Sequence, residues 1–184
     1  MMNLIIAISG PAGSGKTTYA KKLAAELGLR YVSAGQLFRK MANEKGMSLV
    51  EFSRMAEKNY EIDKEIDKRT LEEAKRGNAI LDGRLTAWVT KDIADLKILL
   101  TAPLEVRVKR IANRDKKDYD EVFKETVERE RSELKRYKEI YGANPYELSL
   151  YDVVLNTSKF TIDAAVRILK KIVEEYVASR TSTG

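Results

Sequence analysis

Residues 10 to 17 read Gly10-Pro11-Ala12-Gly13-Ser14-Gly15-Lys16-Thr17, the full pattern G-x-x-x-x-G-K-[ST] of a loop that cradles the phosphates of a nucleoside triphosphate. The chemistry requires these residue types. Glycines let the chain curl until backbone N–H groups converge on an anion. Lys16 supplies a point charge for the β- and γ-phosphates, and the Thr17 hydroxyl is a ligand for Mg2+. A helix beginning at this point adds positive potential, and Thr18 extends its start. The motif needs a strand before it and a helix after it. Leu4 to Ser9 is an apolar run typical of a buried strand, and Thr17 to Leu27 has a helical pattern stopped by Gly28.

Two more segments carry groups suited to phosphate. Ser33-Ala34-Gly35-Gln36-Leu37-Phe38-Arg39 follows a second short strand; Gly35 permits a tight turn into a helix and Arg39 lies one turn in. Asp82-Gly83-Arg84 follows a third strand. There Asp82 can hold a Mg2+-bound water and Arg84 can grip a phosphate through two N–H groups. Two arginines placed just past parallel strands, on the side of the phosphate loop, point to a second anion site. Arg107, Arg110 and Arg114 are spaced to share one helix face, and Arg129, Glu133 and Arg136 to share another. Glu133 can pair with either arginine of its set. On spacing alone, this second helix, charged all round, reads more readily as a solvated surface laced with ion pairs.

Composition removes many rival chemistries. The 184-residue chain has no cysteine and no histidine, which excludes disulfides, thiolate zinc sites, thiol catalysis and any mechanism that needs imidazole. Net charge is +6, from 34 Lys+Arg against 28 Asp+Glu. The signs are interleaved, as in Lys64-Glu65-Ile66-Asp67-Lys68-Arg69, so the expectation is an ion-paired soluble surface with no nucleic-acid partner. No apolar run reaches the ~18 residues of a membrane span, and the first residues read as a core strand. A cytoplasmic protein with no membrane partner is expected.

The elements that must hold these residues alternate. Strands are expected near 4–9, 30–33, 79–81, 96–100 and 151–155, with helices between them. That pattern predicts an α/β fold, a five-stranded parallel sheet with helices on both faces, in a single domain over 1–184. The core is expected at about 1–36, 77–114 and 145–178. Two all-helical stretches, about 37–76 and 115–144, interrupt it after strands, where such folds place binding loops. Ser48, with Glu51 three residues on, is expected to open a helix over Leu49 to Lys58 as a capping box.

The order of phosphate loop, Ser-Ala-Gly-x-x-Phe-Arg and Asp-Gly-Arg resembles the P-loop nucleoside monophosphate kinases, and Asp82-Gly83-Arg84 is the form typical of cytidylate kinases. Ser132-Glu133, Arg136-Tyr137-Lys138, Tyr141-Gly142 and Tyr151-Asp152-Val153-Val154-Leu155-Asn156-Thr157 are similar to the archaeal branch. The resemblance covers about residues 3–175. It implies that 37–76 is an acceptor-binding insert and 115–144 a mobile lid. It implies ATP on the phosphate loop with Arg110 and Arg114, one stacking on adenine and one touching phosphates. The acceptor falls to Ser33, Gly35, Arg39, Asp82, Gly83, Arg84, Arg129, Glu133 and Arg136, and Mg2+ to Thr17 and, through water, Asp82. One departure concerns the base: bacterial cytidylate kinases carry an acid after Asp-Gly-Arg that helps read cytosine, and here the residue is Leu85. Thr86, Trp88, Ser53, Asp63 and Asp67 are candidates for that pocket, though core packing or surface pairing suits each as well.

The reaction this implies is ATP + CMP giving ADP + CDP, with dCMP also accepted. Lys16, Arg114, Arg129 and Arg136 surround the transferring group, and Arg39 and Arg84 clamp the acceptor. The acceptor phosphate is already anionic at pH 7, so a chain without histidine needs no general base. By analogy a monomer is expected. The alternatives are a kinase for UMP, AMP or dTMP, and an ATPase or GTPase switch that binds RNA or protein. The switch is opposed by the lack of an Asn/Thr-Lys-x-Asp guanine motif; Asn156-Thr157-Ser158-Lys159 is only superficially similar.

Overall fold

The computed structural model describes residues 3–47 and 49–181. Five parallel strands, β1 (Ile5–Ser9), β2 (Arg30–Ser33), β3 (Ala79–Asp82), β4 (Leu96–Thr101) and β5 (Val153–Asn156), pair in the order β2-β3-β1-β4-β5. Every residue of β1 and β3 is buried, as expected of central strands covered on both faces. Strand alternation divides the sheet between two layers. Ile6, Ile8, Ile80, Ile98 and Leu100 meet Tyr19 and Leu23 of α1 (Lys16–Leu27) and Leu169 and Val173 of α8 (Ile162–Thr181). On the other face Ile5, Val32 and Leu81 meet Ala74 of α4 (Glu61–Lys75).

The first helical interruption has a core of its own. Met41 and Ala42 of α2 (Ala34–Glu44), Phe52 and Ala56 of α3 (Leu49–Lys58) and Ile62 and Ile66 of α4 pack together, with the Phe38 and Phe52 rings 4.8 Å apart. The second is one long helix that forms a hairpin with the core helix before it. Here α6 (Leu104–Asp115) ends at Lys116 in the left-handed region and α7 (Tyr119–Tyr141) starts on an Asp118 cap that accepts from the N–H groups of Asp120 and Glu121. Val108, Ala112 and Val122 join the two helices. No helix among the described residues is long and apolar enough to cross a membrane.

The expected α/β fold is present, with local differences. Helix α2 begins at Ala34, so Gly35 lies within it and not in a turn before it, because Ser33 caps the helix by accepting from the Gln36 N–H. Four-residue α5 (Thr86–Val89) follows Asp-Gly-Arg where the sequence shows no helix signal, and the Ala87 N–H donates to Ser9 Oγ at 3.0 Å. Ser48, the expected cap of α3, lies outside the described residues.

Candidate active site

The site lies along the carboxyl ends of β1, β2 and β3. Register places Asp82 beside Ile8 of β1 and Ser33 of β2, so the three phosphate-type segments leave the sheet side by side. The loop from Gly10 to Gly15 joins β1 to α1. Its curl needs glycine at Gly13 and Gly15, with φ of 75° and 93°. A Cβ at Gly13 would stand 2.5 Å from the Arg107 carbonyl oxygen, and one at Gly15 would stand 2.3 Å from the Tyr19 ring. Lys16 lies across the loop with Nζ 3.3 Å from the Pro11 carbonyl oxygen. Burial, and then the Arg84 charge, push its ammonium down to about 7, while Asp82 opposes them.

Asp82 is buried, and the Tyr31 hydroxyl donates to its Oδ2 at 2.7 Å. The same hydroxyl interacts with the Thr17 side chain and is itself raised to about 12, chiefly by burial. Thr17 and Asp82 therefore both lie within reach of one phenol. A hydroxyl and a single carboxylate suit a hard cation that takes its other ligands from phosphate and water. Among the described residues no cluster of three or more acids competes for such an ion.

Over this floor lies α7. Glu133 is buried and pairs with Arg84 and, at 3.1 Å, with Arg129 Nε. Burial lowers the Arg84 guanidinium, and the Arg84 charge in turn lowers Arg129 to about 10. Arg136 donates through Nε to Asp63 of α4 at 3.0 Å and through Nη1 to Ser132 at 3.0 Å. One turn along α4, Asp67 accepts from the Tyr141 hydroxyl at 2.5 Å, and Tyr60 donates to Glu139. Desolvation raises Asp63 and takes Asp67 to about 6. Helix α7 is thus joined to α4 and its N-cap residue Tyr60 by three polar contacts.

The sequence from 5 to 159 matches the model of the cytidylate kinase-like family. The chain belongs to that family. It is 47% identical over 174 residues to the cytidylate kinase of Staphylothermus marinus, covering 95% of this chain and 98% of the relative. It is 50% identical over 182 residues to the cytidylate kinase of Methanopyrus kandleri, covering 94% of each. Among solved structures, shikimate kinase from Bacteroides thetaiotaomicron superposes with a TM-score of 0.65 at 15% identity, over 94% of this chain and 99% of that one, a likeness of fold. Family membership makes this chain a kinase, an enzyme of nucleotide-dependent phosphoryl transfer.

Within this cytidylate kinase-like chain, several expected residues converge and others do not. Lys16, Thr17, Asp82, Arg84, Arg129 and Glu133 gather around the loop. Of the two arginines open to it on its own helix, Glu133 takes Arg129, and Arg136 donates its Nε to Asp63 on α4. Arg107 and Arg110 face the phosphate loop together, on the Ala12 and Gly13 carbonyls, whereas exposed Arg114 pairs with its neighbour Asp115. Arg39 is exposed on α2, and Gly35 lies in that helix's first turn. Of the base candidates, Trp88 packs against Tyr141 with the rings tilted by 32° and their centroids 4.9 Å apart. Thr86 is buried beside Gly83 with its Oγ1 unpaired, and the Ser53 side chain lies outside the described residues. Leu85 is buried, so its side chain belongs to the core. Sequence reasoning missed Tyr31 and gave Thr157 no role. Alternation along β2 was the available signal for Tyr31, since it shares a strand face with Ser33.

Proposed function

We propose that this protein transfers the terminal phosphoryl group of ATP to CMP, and to dCMP, giving ADP and CDP or dCDP. The observation that carries this reading is the convergence of Arg84 and Arg129 on one buried carboxylate, Glu133, directly beyond the phosphate loop. Two cations held by an internal anion are a site ready to exchange that anion for phosphate. The names of the archaeal relatives supply the base.

In this reading the phosphate loop, Lys16, Thr17 and Thr18 bind ATP. Ser33, Gly35, Arg39, Asp82, Gly83 and Arg84 seat the acceptor. Arg110 and Arg114 approach ATP from α6, and Arg129, Glu133 and Arg136 close from α7. The segment 37–76 acts as the acceptor insert and 115–144 as the lid. Mg2+ would be held by Thr17 and, through water, by Asp82; when bound it neutralises charge on the nucleotide's phosphates. An acceptor phosphate oxygen attacks the γ-phosphorus in line, and the bond from that phosphorus to the β,γ-bridging oxygen breaks. No proton need move, because the attacking oxygen is already an anion. Lys16, Arg114, Arg129 and Arg136 stabilise the charge on the transferring group, and closure of α7 excludes water. A cytoplasmic monomer without nucleic-acid partners completes the proposal.

The experiment is ADP formation from Mg·ATP with CMP, dCMP, UMP, AMP and dTMP in parallel, beside a control without acceptor. Turnover with CMP and dCMP well above the others is the expected result. Preference for another acceptor would overturn the assigned base, and ADP formation independent of acceptor would overturn the transfer itself.

A further inference from the structure

Four consecutive carbonyls of the phosphate loop are each engaged. Pro11 O accepts from the Ser14 N–H and from Lys16 Nζ, both at 3.3 Å, within the motif itself. The other three are held from outside. Ala12 O accepts from Arg107 Nη1 at 3.0 Å, Gly13 O from Arg110 Nη1 at 3.2 Å, and Ser14 O from the Thr157 hydroxyl at 2.9 Å.

The direction of these bonds matters. Across a trans peptide, the C=O of one residue and the N–H of the next point in opposite senses, and no described peptide bond is cis. Drawing the Ala12 and Ser14 carbonyls outward therefore turns the N–H groups of Gly13 and Gly15 the other way, into the loop. Thr157 joins these restraints. It is fully buried, and its Oγ1 accepts from Arg110 Nη1 at 2.9 Å. Its single proton has two acceptors in reach, Ser14 O and, at 3.0 Å, Thr101 O at the end of β4. The Thr157 carbonyl accepts from Arg110 Nη2 at 3.1 Å. Arg107 is anchored by its Nε on Ala102 O at 3.0 Å and by an ion pair with Glu130 of α7.

We propose that Thr157, acting with Arg110 and Arg107, is a positioning residue that pre-forms the triphosphate cradle by fixing the outward carbonyls of the loop. Donors that are already aimed need no rearrangement when the anion arrives, and that is the source of their strength. The proposal rests on the triphosphate reading of the loop and gives residue 157 a role in ATP affinity without contact to the reacting atoms.

The test compares Thr157→Val, which keeps the shape and loses the hydroxyl, with Thr157→Ser, which keeps the hydroxyl. Mg·ADP affinity is measured by calorimetry, KM for ATP and CMP by steady-state kinetics, and the nucleotide-free melting temperature alongside. Thr157→Val is expected to weaken ADP tenfold or more and to raise the ATP KM by a similar factor, with the CMP KM within twofold of wild type. Thr157→Ser is expected within threefold of wild type throughout. A Thr157→Val protein that melts lower yet binds ADP as wild type does would overturn the proposal. Should that variant fail to fold, Arg107→Lys is measured in the same way: it retains charge for Glu130 but loses the rigid fork that sets Nε on Ala102 O and Nη1 on Ala12 O. An ADP affinity unchanged in Arg107→Lys would overturn the proposal. Absence of ADP binding by the wild type would instead refute the triphosphate reading, and this proposal with it.

Discussion

Lys16 should change its protonation state when nucleotide binds. In the free protein its ammonium lies at about 7, set by burial first and then by the charges of Arg84, Arg129 and Arg107 against Asp82. An ordinary lysine stays charged to about 10.4. At pH 8 roughly nine in ten Lys16 side chains are therefore neutral in the free enzyme. A bound di- or triphosphate places several negative charges beside the amine and restores the ammonium. Binding at pH 8 is expected to take up close to one proton per site, and binding at pH 6 close to none. Affinity is expected to weaken up to about tenfold per pH unit above 7, since each nucleotide bound then brings a proton with it. Calorimetry of Mg·ADP in Tris and in HEPES at pH 8 reads this number directly, from the dependence of binding heat on buffer ionisation enthalpy. Uptake near zero at pH 8, or the same uptake in Lys16→Met, would refute the reasoning. The stability sign follows. The folded pKa lies below the unfolded one, so the charged lysine is penalised in the fold at pH below about 7 and the penalty fades as pH rises toward 10. Lys16→Met should therefore gain more thermal stability at pH 6 than at pH 9.5, while losing several kcal/mol of transition-state stabilisation in kcat/KM.

Four further outcomes are expected. Arg84→Ala should raise the CMP KM by roughly ten- to hundredfold, on the order of 1.5–3 kcal/mol for a charged hydrogen-bond partner, with a much smaller effect on the ATP KM; equal effects in steady-state kinetics would refute its acceptor role. Arg129→Ala should act mainly on kcat, and an unchanged kcat would return α7 to a surface helix. Asp67 has a folded pKa of about 6, above its unfolded value, so its contribution is present at acid pH and lost as pH rises through 6. Asp67→Asn, which can still accept from Tyr141, should unfold at higher urea than wild type at pH 7 and at the same urea at pH 4. Phe52→Ala, at the centre of the insert's own core, should cost about 3–5 kcal/mol and raise the CMP KM while Mg·ADP binding by calorimetry stays near wild type.

Much of the site was legible before folding. The phosphate loop could be read because its constraints are local: glycines where the turn needs positive φ, and a lysine and threonine at its helical end. Gly28 stops α1 in a left-handed conformation, as the sequence suggests, and Gly142 does the same for α7. The arginines beyond β2 and β3 could be located because a parallel sheet puts its functional loops at the strands' carboxyl ends. Partner choice was not legible. Helical spacing offered Glu133 two arginines on its own helix, yet it pairs with only one of them and takes Arg84 from beyond β3.

By itself, then, the sequence determined most of the elements, the parallel α/β class and the glycine-rich loop, since periodicity and turn chemistry are properties of neighbouring residues. Tertiary structure alone decided the strand order, the union of Arg136 with Asp63 across 73 residues of chain, the Tyr31 bond to Asp82 across 51, and the grip of Thr157 on the loop 143 residues before it. Each contact depends on which donor meets which acceptor where water is largely excluded, and the packing of the sheet and its helices makes that choice.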